Sequence, residues 1–219
     1  MSRLPRALRR HRLSERDRAL THRIAAFVLD YPDERLLADL PLLRTATAEL
    51  PDAVRTGLGE ILDHLERTPP QRLAEDYVAI FDLRRRCCLH LTYYAYGDTR
   101  KRGTALLSFT HAYRAAGFDP VTDELPDHLC VVLEFAATVD PDAGSRLLLQ
   151  HRAGLELLRL ALLDSGSPYA GAVAAVSATL PPLTGRLRDA VARLAAEGPP
   201  GEEVGLEPYT TVDYRKAHV

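Results

Sequence analysis

The chain has 219 residues, of which 46% are hydrophobic and 26% are charged, values that suit a globular protein with a single core. Its formal net charge of -2 argues against nucleic acid as a general partner. Three cysteines, Cys87, Cys88 and Cys130, make no disulfide framework. Neither a secretory signal nor a run of about 20 strongly apolar residues is evident, so we expect a cytoplasmic protein without direct membrane insertion.

Helical periodicity dominates the first third of the chain, where apolar residues recur three and four positions apart. The pattern predicts, in order, a helix that begins after an N-cap at Ser14 and ends before Pro32, a helix over Asp33–Ala48 that Pro41 can split, a helix after Pro51, and a helix after Pro69 and Pro70.

The segment Leu83–Gly97 is harder to assign, because its centre, Leu89–Tyr96, is β-branched and aromatic. Such residues favour extended strands. No second strand candidate is near enough in sequence to pair with this one. We therefore predict a helix here.

The second half of the chain is predicted to be helical as well. The pattern indicates a helix capped by Asp98 or Thr99 and ended by Gly117, a helix that begins near Asp123 with Pro126 in its first turn, a long helix over Pro141–Leu163, and two further helices over Ala170–Thr179 and Leu183–Ala196. Within the second of these, Leu129–Ala137 is apolar on nearly all sides, so we expect it to be the central buried helix.

These elements predict an all-α protein with one domain, a helical bundle of about eight to ten helices. The bundle is expected to span residues 14–197. A mobile basic extension at 1–13 is expected before it, and a flexible tail rich in proline and glycine at 198–219 after it.

Motifs for catalysis and metal binding are absent from the sequence. There is no glycine-rich phosphate loop, no H-E-x-x-H and no G-x-S-x-G, so we expect a protein that is not an enzyme and has no cofactor. Cys87, Cys88 and His90 could in principle bind a metal ion, but adjacent cysteines do not have the spacing of a structural zinc site. We expect packed thiols and no metal.

Two basic runs, Arg84–Arg86 and Arg100–Arg102, flank the ambiguous segment. The second lies in the first turn of a predicted helix, where the helix dipole disfavours cations. Such a cost invites a functional explanation, so Arg100 and Arg102 are candidates for binding an anion. The alternative is that neighbouring acids neutralise the arginines in solvent.

The block Glu124-Leu125-Pro126-Asp127-His128 opens the apolar helix and admits two interpretations. Its acids can serve the helix dipole alone, with Glu124 and His128 paired four residues apart. Alternatively, the block is the polar rim of an apolar groove, in which an amphipathic peptide helix can bind.

Several blocks resemble one family closely. They are Tyr77-Val78-Ala79-Ile80-Phe81-Asp82, His90-Leu91-Thr92-Tyr93-Tyr94, Gly97-Asp98-Thr99-Arg100-Lys101-Arg102-Gly103, Glu124-Leu125-Pro126-Asp127-His128-Leu129 and Leu133-Glu134-Phe135. In their order and spacing they are similar to the signature of the NarJ-type nitrate reductase chaperones, within the wider group that includes the TorD and DmsD types. The residue Cys130 departs from many relatives, which have a proline at this position.

The resemblance implies a TorD-like all-α fold. It also implies a cytoplasmic chaperone that binds the N-terminal segment of the nitrate reductase catalytic (alpha) subunit and holds it for molybdenum cofactor insertion and complex assembly. The peptide-binding residues that it implies are Glu124, Pro126, Asp127, His128 and Leu129, with Tyr77, Phe81 and Asp82 as weaker candidates. The protein would be a monomer or a homodimer.

Two other functions stay open at the level of sequence. A nucleotide- or cofactor-binding helical protein would use the basic helix start at Arg100–Arg102. A regulator that contacts nucleic acid would use the arginine-rich residues of the N-terminus.

Overall fold

A computed structural model describes residues 13–197, and within that range it is all-α, as the sequence predicts. Eleven α-helices follow one another in the described residues. Their bounds are α1 Glu15–Val28, α2 Glu34–Ala48, α3 Asp52–Arg67, α4 Pro70–Tyr77, α5 Tyr93–Tyr96, α6 Arg100–Ala115, α7 Leu129–Thr138, α8 Pro141–Gln150, α9 Arg152–Asp164, α10 Ala170–Thr179 and α11 Gly185–Glu197. A π-helical turn, Val78–Asp82, continues α4, and a 3₁₀ turn, Arg85–Cys87, follows it.

The first helices begin at polar caps that the sequence marks. Ser14 accepts a hydrogen bond from the backbone N–H of Asp17, whose carboxylate accepts one from the N–H of Ser14, so α1 opens with a capping box. Asp33 caps α2 by accepting from the N–H of Leu36 at 2.8 Å. Pro41 lies inside α2 without splitting it, although splitting was one expectation.

The helix α7 is the centre of the core, as its uniformly apolar sequence predicts. It packs against α1 on one side and α8 on the other. Its buried residues are Leu129, Cys130, Val131, Val132, Leu133, Phe135 and Ala136. A second close contact joins α3 to α10, where a Cβ atom added to Gly57 would lie 2.4 Å from the carbonyl oxygen of Gly171. Glycine is required at this crossing because the two backbones touch.

The prediction of a helix over Leu83–Gly97 is wrong for most of that segment. Only Tyr93–Tyr96 is α-helical, and His90 instead forms an isolated antiparallel bridge with His128. The extended propensity of the segment is thus satisfied by a partner that is remote in sequence. Because the partner is not near in sequence, the absence of a neighbouring strand does not argue against an extended segment.

The helix predicted to begin near Asp123 begins at Leu129 instead. Pro126 and Asp127 lie in an irregular loop before it, and the N–H of His128 donates to the carbonyl of Leu125 at 2.9 Å. The first helical N–H, that of Leu129, donates to Leu89 at 2.9 Å. Bonding to another segment therefore replaces the first turn, and the acids at 123 and 124 serve no helix dipole.

The long helix predicted over Pro141–Leu163 is two helices that meet at His151. The two halves have different neighbours, since α8 packs on α7 whereas α9 packs on α10, α11 and the 3₁₀ turn. The imidazole of His151 lies against the ring of Phe109 with the ring centroids 4.9 Å apart. The break at His151 therefore separates the half that packs on α7 from the half that packs on α10 and α11.

The predicted C-terminal tail and all but the last residue of the predicted N-terminal extension lie outside the described residues. Within residues 13–197 no helix combines the length and apolar character needed to cross a membrane.

Candidate functional site

A groove of about 610 Å³ lies where the end of α1, the start of α2 and the start of α7 meet the loop between α6 and α7. Its lining residues are Arg23, Ala26, Phe27, Asp30, Tyr31, Asp33, Arg35, Leu36, Phe118, Asp119, Pro120, Val121, Thr122, Glu124, His128, Cys130, Val131 and Glu134. We name this feature the α1/α7 groove. Its volume falls within the usual range for ligand-binding pockets, about 300–1,000 Å³.

The α1/α7 groove has an apolar floor and a charged rim. Its buried lining side chains include Ala26, Leu36 and Val131, whereas Tyr31 and Val121 are exposed at its mouth. Five carboxylates line it against two guanidiniums. One guanidinium, that of Arg23, is ion-paired with Glu134. The rim is therefore acidic.

Glu124 and His128, which the sequence nominates for peptide binding, both line this groove. Glu124 is exposed on its rim, and His128 is buried in its wall. Burial, and after it the neighbouring His90, lowers the pKa of His128 to about 4. His128 is consequently neutral near pH 7, and its imidazole can exchange hydrogen bonds with a ligand without adding charge.

Asp127 is also nominated by the sequence, but it is fully buried and points away from the groove. Its Oδ2 accepts hydrogen bonds from the backbone N–H of Thr92 at 3.0 Å and from the Thr92 hydroxyl at 2.5 Å. Its Oδ1 lies 3.3 Å from Nδ1 of His90, and Arg102 Nη2 lies 3.9 Å from Oδ2. Asp127 therefore joins the loop before α7 to the Leu89–Thr92 segment.

The ionisation of Asp127 follows from these contacts. Burial by itself would raise the pKa of this carboxyl, but the contacts with His90 and the two hydrogen bonds from Thr92 outweigh it and lower the pKa. Asp127 is thus a buried carboxylate held by surrounding donors.

Pro126 and Leu129 hold the loop before α7 in place without lining the groove. The carbonyl of Pro126 accepts a hydrogen bond from the Tyr113 hydroxyl at 2.7 Å, which fixes the loop to α6. Leu129 is fully buried in the core. Neither residue is part of the groove lining.

Tyr77 and Phe81 lie in a buried aromatic cluster rather than in the groove. The Tyr77 hydroxyl donates to the carbonyl of Leu29 at 3.2 Å, and the Tyr77 ring meets that of Tyr31 edge to face with centroids 5.4 Å apart. Phe81 packs on Tyr77 and on Tyr169. Because Tyr31 lines the groove, the cluster supports one groove wall from below.

The remaining nominated residues lie elsewhere. Asp82 is exposed at the end of the π-helical turn and does not line the groove. Arg100 is exposed in the first turn of α6. Arg102 points inward, where its Nε donates to the Thr92 hydroxyl at 3.2 Å and its Nη1 is paired with Asp98 at 3.2 Å. Anion binding by Arg100 and Arg102 stays a prediction, and Arg102 could take part only by leaving these partners.

The residues considered for a metal site differ in their surroundings. Cys87 and Cys130 are buried, and Cys88 accepts a weak hydrogen bond from the N–H of His90. Across residues 13–197, no three or more His, Cys, Asp or Glu side chains are grouped so as to hold a metal ion.

Comparison with known proteins places these features in a family. The family model described as nitrate reductase delta subunit matches residues 47–175, which include Tyr77, the Glu124–His128 block and the central helix α7. The chain belongs to the nitrate reductase delta subunit family. The NarJ-type resemblance drawn from the signature blocks is thereby confirmed.

Members of the nitrate reductase delta subunit family with curated names are similar over about two thirds of the chain. The nitrate reductase-like protein NarX of Mycobacterium tuberculosis (strain ATCC 25618 / H37Rv) is 44% identical over 155 residues, 71% of this chain but 23% of that protein. The chain thus spans about a quarter of NarX. The probable nitrate reductase molybdenum cofactor assembly chaperone NarJ of Bacillus subtilis (strain 168) is 32% identical over 155 residues, 70% of this chain and 84% of that protein.

A third relative agrees with this assignment, and a solved structure shares the fold. The nitrate reductase molybdenum cofactor assembly chaperone NarJ of Escherichia coli (strain K12) is 30% identical over 150 residues, 67% of this chain and 64% of that protein. The crystal structure of a putative redox enzyme maturation protein from Archaeoglobus fulgidus has a TM-score of 0.55 at 22% identity and covers 79% of this chain and 97% of that one. This likeness confirms the predicted fold of the delta subunit family member.

Sequence reasoning missed the α1–α2 loop, which supplies Asp30, Tyr31 and Asp33 to the groove of this delta subunit family member. The sequence carried a signal for this loop. Tyr31 precedes Pro32 in the connection between two predicted helices, so it cannot belong to the apolar face of either helix. The exposed fraction of Tyr31, 47%, is large for an aromatic side chain. The loop faces the Glu124–His128 block only because α1 packs on α7.

Proposed function

We propose that this chain is an assembly chaperone that binds the N-terminal segment of a nitrate reductase catalytic (alpha) subunit in the α1/α7 groove. In this proposal it holds that subunit in the cytoplasm for molybdenum cofactor insertion and complex assembly. It acts by binding and does not catalyse a reaction. Membership of the delta subunit family and the names of the two NarJ relatives support the proposal.

The observation that carries the proposal is the coincidence of the signature block with a groove. Glu124 and His128 lie on a concave surface on which Tyr31 and Val121 are also exposed. Aliphatic and aromatic side chains at a groove mouth are the usual anchors for the apolar face of a peptide helix.

The charge of the rim indicates which peptides the groove prefers. Asp30, Asp119 and Glu124 line it without an ion-pair partner among residues 13–197. A peptide with lysine or arginine beside its apolar face would complement these carboxylates. Exposed charge pairs contribute little affinity individually, so apolar contacts would supply most of the binding energy.

The proposal assigns different roles to the nominated residues. Glu124 and His128 contact the peptide, together with Tyr31 from the α1–α2 loop. Asp127, Pro126 and Leu129 position the loop that carries them, and Tyr77 and Phe81 support Tyr31. A contact by Asp82 would require a peptide that extends beyond the groove.

The proposal is tested by calorimetric titration of the protein with a peptide of about 15 residues that matches the N-terminus of the cognate alpha subunit. We expect saturable binding with a Kd of about 1 μM or tighter. Tyr31→Ala is expected to weaken binding by about tenfold or more, since it removes an apolar anchor. Glu124→Gln is expected to weaken binding by a smaller factor that shrinks as salt is added.

A matched control is available next to the site. Asp123 is exposed and lies beside Glu124, but it does not line the groove. Asp123→Asn is therefore expected to leave the affinity within about twofold of the original, well under the tenfold step of about 1.4 kcal/mol. Unchanged affinity in Tyr31→Ala and Glu124→Gln would move the peptide to another surface, and absence of binding by the original protein would remove the proposed role.

A further inference from the structure

A second cavity, of about 430 Å³, lies against the 3₁₀ turn on a part of the molecule that shares no lining residue with the α1/α7 groove. Arg84, Arg85 and Arg86 all line it. Its other wall is the end of α9, with Ala161, Asp164 and Ser165. We name this feature the arginine cavity.

The arginines stand on a fixed frame. The 3₁₀ turn is closed by a hydrogen bond of 2.8 Å from the N–H of Cys87 to the carbonyl of Arg84, and the Cys87 side chain is buried. The buried Tyr94 hydroxyl lies 3.1 Å from the carbonyl of Arg86 and 2.9 Å from that of Cys88, so it ties the following residues to α5. Because the backbone is held from both sides, only side-chain freedom is lost when a ligand binds.

The charges around the arginine cavity do not balance. Three arginines and one acidic residue, Asp164, are among the residues that line it. None of the three arginines is ion-paired with a carboxylate of residues 13–197, whereas Arg44, for example, is paired with both Asp63 and Glu66 at 2.7 Å. The C-terminal end of α9 adds roughly half a negative charge, which leaves the cavity with an excess of positive charge.

We propose that the arginine cavity binds a soluble small molecule that carries one or more phosphoryl groups. Guanidinium groups match phosphate oxygens with paired, charge-assisted hydrogen bonds, and arginine is preferred to lysine wherever such planar recognition matters. A phosphoryl group of charge near -2 would offset the excess of positive charge. The cavity volume is at the lower end of the range for small-molecule pockets, about 300–1,000 Å³.

A bilayer surface carries phosphates as well, and the flanks of the cavity include exposed leucines. Leu83 is 75% exposed and Leu163 is 59% exposed, and each is adjacent in sequence to a lining residue. A concave site between two secondary-structure elements favours a small ligand over a flat lipid surface. The two sources are separated by experiment.

The test titrates the full-length protein with inorganic tripolyphosphate at about 0.15 M salt, where nonspecific attraction beyond about 8 Å is screened. We expect saturable binding. The variant Arg84→Gln/Arg85→Gln/Arg86→Gln is expected to lose at least about tenfold in affinity, since each charge-assisted pair to phosphate is a strong hydrogen bond. Asp164→Asn, which removes the competing carboxylate, is expected to bind more tightly than the original.

The matched control is Arg55→Gln/Arg114→Gln/Arg146→Gln, which removes the same number of charges from exposed positions of α3, α6 and α8 that line neither site. Its affinity is expected to stay within about twofold of the original. An equal loss in both triple variants would show attraction by net charge alone and would overturn the proposal. So would absence of saturable binding, or binding only to vesicles of phosphatidylcholine with phosphatidylglycerol. The first triple variant should bind the alpha-subunit peptide normally, which separates this site from the groove.

Discussion

Replacing Asp127 with alanine should unfold the site rather than remove a contact with the client. The carboxylate is fully buried and receives two hydrogen bonds from Thr92, which is itself fully buried. Neither the backbone N–H nor the hydroxyl of Thr92 can hydrogen-bond to water instead when the carboxylate is lost. The loop before α7, which carries Glu124 and His128, would lose its attachment to the Leu89–Thr92 segment.

The magnitude follows from the groups left behind. A buried donor that loses its acceptor costs roughly 1–3 kcal/mol, and here a backbone N–H and a hydroxyl are both affected. Arg102 also loses a nearby countercharge, 3.9 Å away. We expect Asp127→Ala to lower the free energy of unfolding by about 3–5 kcal/mol, as for a buried charge network that loses one member. Asp127→Asn keeps an acceptor for Thr92 and should cost about 1–2 kcal/mol.

Urea unfolding followed by circular dichroism measures this change, and peptide titration is carried out on the same preparations. Glu124→Gln is the comparison, because its exposed side chain should affect the peptide Kd while the free energy of unfolding changes by less than about 0.5 kcal/mol. Asp127→Ala should show a large loss of stability, together with a loss of peptide binding that is partly restored when an osmolyte stabilises the folded state.

One result would refute this reasoning. If Asp127→Ala unfolded at the same urea concentration as the original protein but bound the peptide far more weakly, the carboxylate would have to contact the client directly. The loop before α7 would then open in solution to expose Asp127, and the role of a positioning residue would be lost.

Three further predictions concern the fold. Gly57→Ala should lower the free energy of unfolding by about 2 kcal/mol or more, because its Cβ would lie 2.4 Å from the backbone of Gly171. The control is Gly59→Ala, whose Cβ would have its nearest neighbour at 4.0 Å. In urea melts this control should be neutral or stabilising by up to about 1 kcal/mol. Phe109→Ala should cost about 3–5 kcal/mol, because the ring is fully buried; a cost near zero would mean that the face of α6 is wrongly assigned. Burial, and after it Arg18, lowers the pKa of His22 from 6.5 to about 4. Between these pH values the unfolded state binds a proton that the folded state does not, so the free energy of unfolding should fall as the pH drops from about 6.5 to 4. His22→Gln should remove up to about 3 kcal/mol of that fall.

The helices that could be predicted from sequence are those whose signals are local. Ser14 with Asp17 marks the start of α1, and Gly117, at a φ of 69°, follows the end of α6 where a left-handed residue is needed. The wrong predictions all involve distant partners. The bridge of His90 with His128 connects residues 38 positions apart, and no periodicity within a single segment reports such a pairing.

The candidate site was predictable only in part, for the same reason. The signature block includes Glu124 and His128, which line the groove, but it gave no means of separating them from Asp127, which precedes His128 and is buried away from the groove. Adjacent residues in an irregular loop have no fixed period, so their directions depend on tertiary bonds. The α1–α2 loop was missed because its place opposite the block depends on the packing of α1 against α7.

A buried carboxylate at Asp127 is hard to explain as a source of stability, because well-packed apolar residues often serve as well as a buried ion pair. Its partners suggest another role. Thr92 donates two hydrogen bonds to the carboxylate, and His90 Nδ1 lies 3.3 Å from its Oδ1, both from a segment that has no regular structure of its own before α5. A slip of one residue between the two segments would leave Asp127 buried without its donors, at a cost of several kcal/mol. The carboxylate therefore selects one register, and that register fixes where His128 enters the groove.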